Sequence, residues 1–214
     1  TSGNASVLFG ARDASNVFMW SVNTLDNEKE PLIRRHIYDR GRLQSSDTPI
    51  GKFFTKSDLL NKEHHLAIEA KDGVVKTYID KVLVDTYTDT DSKLSNGYIG
   101  FRAFRGNNTN ETAMFDNIVL TEYEQKGDKE EAKVVLKEDF EKPQSAFEGG
   151  EIVSVGGNRK LNMVSGSGDY RVLQVDMSGV PMFRKEFKAK KKIASARIYS
   201  SALGVYDLFI NGQR

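Results

Sequence analysis

Short runs in which apolar and polar residues alternate recur along most of the chain, separated by clusters of Gly, Asn, Asp and Ser. A two-residue period puts successive side chains on opposite faces of a strand, so the pattern predicts an all-β protein. Residues 5–11 and 16–22 form an expected strand pair across the turn Asp13-Ala14-Ser15, and residues 33–38 a further strand closed by Asp39-Arg40-Gly41. In residues 65–70 the alternation places Leu66, Ile68 and Ala70 on one face. Asp72-Gly73 then returns the chain into residues 74–80, because Asp-Gly supplies the positive φ values that a type I′ turn requires. A reversal near Lys81 leads into residues 82–87, followed by 98–104 after Asn96-Gly97 and then 113–122. Strands at this spacing predict a sandwich or jelly roll.

Between Tyr123 and Lys133 the chain is charged and nearly devoid of apolar residues, so this stretch adds nothing to a core and reads as a boundary, with a short helical turn as an equal reading. Beyond it, residues 134–140 read as a strand, while Gly149-Gly150, Gly156-Gly157 and Gly166-Ser167-Gly168 punctuate an irregular stretch. Regular alternation returns in residues 182–187, 193–200 and 205–210. The expected organisation is a sandwich over residues 1–124, a charged linker over 125–133, and a second, truncated β-sandwich over 134–214.

Thirty-one basic residues against thirty acidic ones give a formal net charge of +1, which argues against nucleic acid or an anionic membrane as partner and suits a neutral ligand such as sugar. There is no cysteine, which excludes disulfides and thiolate metal sites. The compartment stays open between periplasm or secretion and the bacterial cytoplasm. No apolar run approaches the roughly 20 residues that cross a bilayer, so no membrane insertion is expected. The chain starts without Met and ends in Asn211-Gly212, which reads as a hairpin turn, so both ends read as cut and the rest of a parent polypeptide is an expected partner.

Catalytic patterns are missing: there is no nucleophile elbow, P-loop, zincin helix or dinucleotide fingerprint, and no Glu-x-Asp-x-Glu spacing of the kind jelly-roll glycanases use. The candidates are binding residues. Asp13 and Asn16 lie at the tip of the first strand pair, where their oxygens could hold calcium or simply close an Asx turn. Trp20 is the only tryptophan, and its indole suits either stacking on the C–H face of a sugar or a place in the core. Arg34, His36 and Tyr38 share one strand face, which is either plain exposed sheet or the polar floor of a sugar site, with Arg34 and His36 donating to hydroxyls. Arg102 alternates with aromatic neighbours and points away from them, and Asp116-Asn117 forms a second acid–amide pair; both also read as edge-strand polar residues. The basic run at residues 188–192 lacks interleaved aromatics and reads as a solvated turn.

Residues 182–212 carry Arg184-Lys185-Glu186-Phe187, then Ala196-Arg197-Ile198-Tyr199, then Leu203-Gly204-Val205-Tyr206-Asp207-Leu208-Phe209-Ile210-Asn211-Gly212. This segment resembles the N-terminal β-sandwich of bacterial α-L-rhamnosidases of glycoside hydrolase family 78. In that family the resemblance implies further β modules and an (α/α)6 barrel that performs an inverting hydrolysis, and none of that barrel is in this chain. The run from Phe9 to Trp20, the segment Tyr78-Ile79-Asp80, Gly97-Tyr98-Ile99-Gly100-Phe101-Arg102 and Met114-Phe115-Asp116-Asn117 resemble concanavalin-like or laminin G-like jelly rolls, among them the rhamnose-binding modules of carbohydrate-binding module family 67. The resemblance implies a calcium ion bridging an acid and an amide to sugar hydroxyls, carried here by Asp13 and Asn16 or alternatively by Asp116 and Asn117. It implies a non-catalytic region that binds a rhamnose-containing glycan and acts as a spacer. The alternatives are a concanavalin-like glycoside hydrolase domain in its own right and a purely structural β module.

Overall fold

The computed structural model describes residues 3–174, apart from 14, 26–27, 92, 95–96, 107–108, 128, 143–144 and 165–167. The chain divides into two compact units, Thr1–Met177 and Ser178–Arg214. The strands expected in 182–210, the turn at 188–192 and the segment that resembles rhamnosidases lie outside the described residues.

The described unit is all-β. Its strands are β1 (Asn4–Asp13), β2 (Asn16–Asn23), β3 (Leu32–Asp39) and β4 (Arg42–Pro49), then a one-turn helix α1 (Lys56–Leu59), followed by β5 (Leu66–Lys71), β6 (Val74–Ile79), β7 (Val82–Thr88), β8 (Tyr98–Gly106), β9 (Thr109–Asn110), β10 (Thr112–Phe115), β11 (Ile118–Lys126), β12 (Lys129–Glu138), β13 (Phe147–Glu148), β14 (Glu151–Val155), β15 (Asn158–Val164) and β16 (Gly168–Gln174). Turns form where the backbone can take positive φ: Arg40 (49°) with Gly41 (76°) between β3 and β4, and Asp72 (50°) with Gly73 (73°) between β5 and β6. Asp80 (50°) and Lys81 (69°) make the same reversal without glycine.

One large sheet runs in the order β13-β16-β8-β1-β2-β3-β4, with β9 added to β8. Two three-stranded sheets, β5-β6-β7 and β10-β15-β14, supply the second layer, and β11-β12 form a separate two-stranded ribbon. The register sets Val172, Phe101, Val7 and Trp20 opposite one another across β16, β8, β1 and β2, a continuous apolar row on one face of the large sheet. At the β1–β2–β3 end this face packs Phe9, Phe18, Trp20, Ile33 and Ile37 against Val75, Ile79 and Val84 of the β5-β6-β7 sheet. At the β8–β16 end, Phe101, Ala103 and Val172 meet Leu161 and Met163 of β15 together with Phe140 and Phe147. Gly100 of β8 allows β16 to close here, because a Cβ would stand 2.3 Å from the Val172 carbonyl oxygen.

Two expectations change. The charged stretch at 125–133 is no linker but the tip of the β11–β12 ribbon. Charge excludes it from a core, yet the strands pair: Glu122 stands opposite Lys133, and Lys126 reaches Glu131 diagonally at 2.7 Å, which offsets the like-charged pairs Lys126–Lys129 and Glu124–Glu131. The ribbon stands clear of the sandwich along much of its length, leaving Val119, Tyr123 and Val134 about half exposed, with an ion pair from Glu130 to Lys71 near its tip. Nor do the described residues after 134 begin a second sandwich. β16 pairs with β8 and β15 with β10, so they complete the first. The glycines read as irregularity are in part turn residues, with Gly156 (63°) and Gly157 (87°) joining β14 to β15.

Trp20→Ala is expected to cost about 3–5 kcal/mol, read as a lowered urea midpoint. A chain ending at residue 124 leaves Phe101, Ala103 and their neighbours uncovered. Followed by circular dichroism, it is expected to unfold in urea without the cooperative transition expected of the full chain.

Candidate functional site

Because side chains alternate, the face of the large sheet opposite the core is defined by the same register. Arg171, Arg102, Ser6, Ser21, Arg34 and Asp47 form one row across β16, β8, β1, β2, β3 and β4. On one side lies the row of Leu8, Met19 and His36, and on the other that of Asn4, Asn23 and Leu32. Three sequence candidates, Arg34, His36 and Arg102, therefore come together on one face.

Every guanidinium on this face is matched by carboxylate. Arg34 donates to both oxygens of Asp47, at 2.9 and 2.8 Å, and to Glu28 at 2.8 Å, which raises its own pKa and holds Asp47 below the usual carboxylate range. Arg102 donates Nε to Asp169 at 2.7 Å and Nη1 to Glu111 at 2.9 and 3.1 Å. Arg171 grips the other oxygen of Asp169 with Nε at 3.0 Å and Nη2 at 2.9 Å. Burial pushes Glu111 up, with Arg102 and Asn4 pulling it back.

Beneath these ion pairs lies an uncharged polar floor. Ser6 and Ser21 are buried with their hydroxyl oxygens 2.7 Å apart. Asn4 donates to Glu111 at 2.9 Å, and Asn23 accepts from the Leu25 amide at 2.9 Å. The remaining ends, Asn4 Oδ1 and Asn23 Nδ2, and His36 Nδ1, are buried without a hydrogen-bond partner. Burial lowers the His36 pKa, reinforced by Arg102, Arg34 and Arg171 and opposed by Asp47. Beside His36 the floor turns apolar, with Leu8, Ala11, Val17 and Met19 packed together against Tyr38.

One contact spans the face. The Arg171 guanidinium carbon lies 5.2 Å from the centroid of the Tyr38 ring, although β8, β1 and β2 stand between their strands. A flat sheet would hold β16 and β3 roughly 19 Å apart. The sheet is therefore curled toward this face, and the two side chains meet above its floor.

The other sequence candidates lie elsewhere. Trp20 is a core residue, 2% exposed, with Phe9, Phe18 and Tyr87 rings around it at 5.0–5.7 Å, so it presents no face to a ligand. Asp13 and Asn16 close the β1–β2 turn. Asp13 Oδ1 accepts from the Ser15 amide at 2.7 Å, and both its oxygens accept from Asn16 Nδ2 at 2.9 Å, which lowers its pKa. Asn16 Oδ1 is taken by the Arg40 amide at 3.0 Å. Calcium needs converging oxygens, and Asn16 turns its N–H groups toward the carboxylate instead, so this pair does not fit the ion. Asp116 and Asn117 likewise form a turn, between β10 and β11: Asp116 accepts from the Asn117 amide at 2.7 Å and from Asn158 at 2.6 Å, and Asn117 has φ 52°. Among the described residues no three His, Cys, Asp or Glu side chains gather as a metal site, and no helix is long and apolar enough to cross a membrane.

Sequence reasoning missed Asn4, Ser6, Ser21, Asn23, Glu111, Asp169 and Arg171. Alternation within residues 4–8 and 19–23 was an available signal for the floor. Asp169 and Arg171 join the face only through the pairing of β16 with β8, for which the sequence carries no local sign.

Arg102→Ala leaves Glu111 buried without its cation and is expected to cost about 3–5 kcal/mol at neutral pH, read from urea midpoints, with Glu111→Gln in the same chain restoring part of the loss. The folded chain binds a proton at His36 less readily than the unfolded chain, whose imidazole titrates near pH ~6.5. The stability that neutral His36 contributes is thus full above that value and falls as pH drops toward the lower folded pKa. His36→Asn is expected to flatten the change in urea midpoint between pH ~7.5 and ~5.5.

Comparison of the chain with protein-family models, with curated proteins and with solved structures finds no match.

Proposed function

We propose that this chain is a non-catalytic saccharide-binding and spacer region of a larger glycosidase of the α-L-rhamnosidase kind, and that the polar face of its large sheet holds a neutral sugar. The observation that carries this reading is the nearly neutral polar face itself, in which Arg34, Arg102 and Arg171 are matched by Glu28, Asp47, Glu111 and Asp169 beside the uncharged Asn4, Ser6, Ser21 and Asn23. A sugar offers hydroxyls that both donate and accept. An anionic ligand would meet Glu28, Asp47, Glu111 and Asp169 before any unmatched cation.

The same face argues against hydrolysis in place. Glu111 and Asp169 form an acidic pair, but Arg102 stands between them and bonds to both, where a glycosidic bond would have to lie. Binding without cleavage still serves a tethered catalytic part by raising the local concentration of its substrate. Burial of Trp20 favours a second reading, a purely structural module.

Calorimetric titration of the 214-residue chain with L-rhamnose separates the two. Saturable binding is expected, unchanged by a chelator because the oxygens of Asp13 and Asn16 are already engaged. No heat of binding with rhamnose or other neutral monosaccharides selects the structural module.

A further inference from the structure

The curled sheet brings together two side chains for which the fold has no evident need. Arg171 already has its counterion in Asp169, and its guanidinium nonetheless lies over Tyr38 across three intervening strands. A second guanidinium–aromatic pair on this face, Arg102 over Phe104 at 5.1 Å, differs in kind. Arg102 is fixed by two carboxylates and its side chain is only 14% exposed, whereas Arg171 is held by one carboxylate and is 22% exposed. Arg171 can leave its ring without giving up its ion pair, and Arg102 is the anchored member.

We propose that Arg171 and Tyr38 form a clasp over the polar face, and that a neutral sugar ring displaces the guanidinium and stacks on Tyr38, which thereby takes the role that Trp20 cannot fill. This rests on the saccharide reading above and extends it to the residues that admit and orient the ligand. A planar cation and the C–H face of a pyranose recognise the same feature of an aromatic ring, its electron-rich face. Tyr38 is placed for the exchange. The half-buried His36 lies two residues along the same strand on the same face, and the apolar group of Leu8, Ala11, Val17 and Met19 backs the ring. The closed clasp lowers apparent affinity by the fraction of molecules in which it is shut, so loosening it tightens binding.

The test is titration of L-rhamnose into the full chain and into Arg171→Ala, Tyr38→Phe and Tyr38→Ala, with circular dichroism to confirm each fold. Arg171→Ala is expected to bind several-fold more tightly than the parent. Tyr38→Phe keeps the ring and is expected to stay within about threefold, and Tyr38→Ala to lose about tenfold or more. Should Tyr38→Ala fail to fold, nuclear Overhauser contacts between sugar C–H protons and the Tyr38 ring of the parent chain, assigned by their change in Tyr38→Phe, report the stack directly. Rhamnose binding that is the same within twofold in Arg171→Ala and Tyr38→Ala, or that gives no contact to the ring, overturns the clasp and leaves the saccharide reading standing. No binding by any variant, Arg171→Ala included, removes that reading and the clasp with it.

Discussion

The pairing of β8 between β1 and β16 is the constraint on which the rest of this structure depends. Side chains alternate with a period of two, so one choice of register decides both faces at once. The register that turns Phe101 and Val172 inward also turns Arg102 and Arg171 outward, into the row that continues through Ser6, Ser21 and Arg34. A slip of one residue would put guanidinium groups into the aromatic core and phenylalanine onto the polar floor. Core and candidate site are therefore two readings of one hydrogen-bond ladder.

The aromatic residues divide between those two uses. Trp20 sits where a large side chain contributes most to packing, between Phe9, Phe18 and Tyr87, and for that reason offers nothing to solvent. Tyr38 lies at the same sheet but on its other face, where a ring with a polar tip tolerates partial exposure. Two acid–amide pairs divide in a similar way from the residues of the face: Asp13 with Asn16 and Asp116 with Asn117 spend their hydrogen bonds on turns. The outward row instead uses Arg34, Arg102 and Arg171 with matching carboxylates, which leaves it densely polar and nearly neutral.

Local chemistry made much of the fold legible. Asp72-Gly73 and Arg40-Gly41 announce their turns, and the period of two in β6 sends Val75, Thr77 and Ile79 inward. The same alternation put Arg34 and His36 together and pointed Arg102 away from Phe101, but not from Phe104, which lies two residues on along the same face and has the Arg102 guanidinium over its ring at 5.1 Å. Features hidden from it share a physical cause. β4 is polar on both sides because it is an edge strand exposed along most of its length, so it has no alternation to read. The stretch near Lys129 is charged because a ribbon without a covering layer is wetted on both faces, which composition alone does not distinguish from a linker. Glu111 reaches Asn4 across 107 residues, and Asp169 reaches Arg102 across 67, with Arg171 paired beside Arg102; no periodicity operates over such separations.

The β11–β12 ribbon has a consequence for how the molecule behaves in concentrated solution. With only two strands, it presents two unpaired ladders of N–H and C=O groups, the template on which further strands can add. Lys126, Lys129, Lys133 and Lys137 interleave with glutamates along it and act as an electrostatic guard against such growth. That guard reaches only about 10 Å at 0.1 M salt and shrinks further as ionic strength rises. At high ionic strength this ribbon, like the exposed edge strand β4, therefore loses part of what opposes the addition of a further strand.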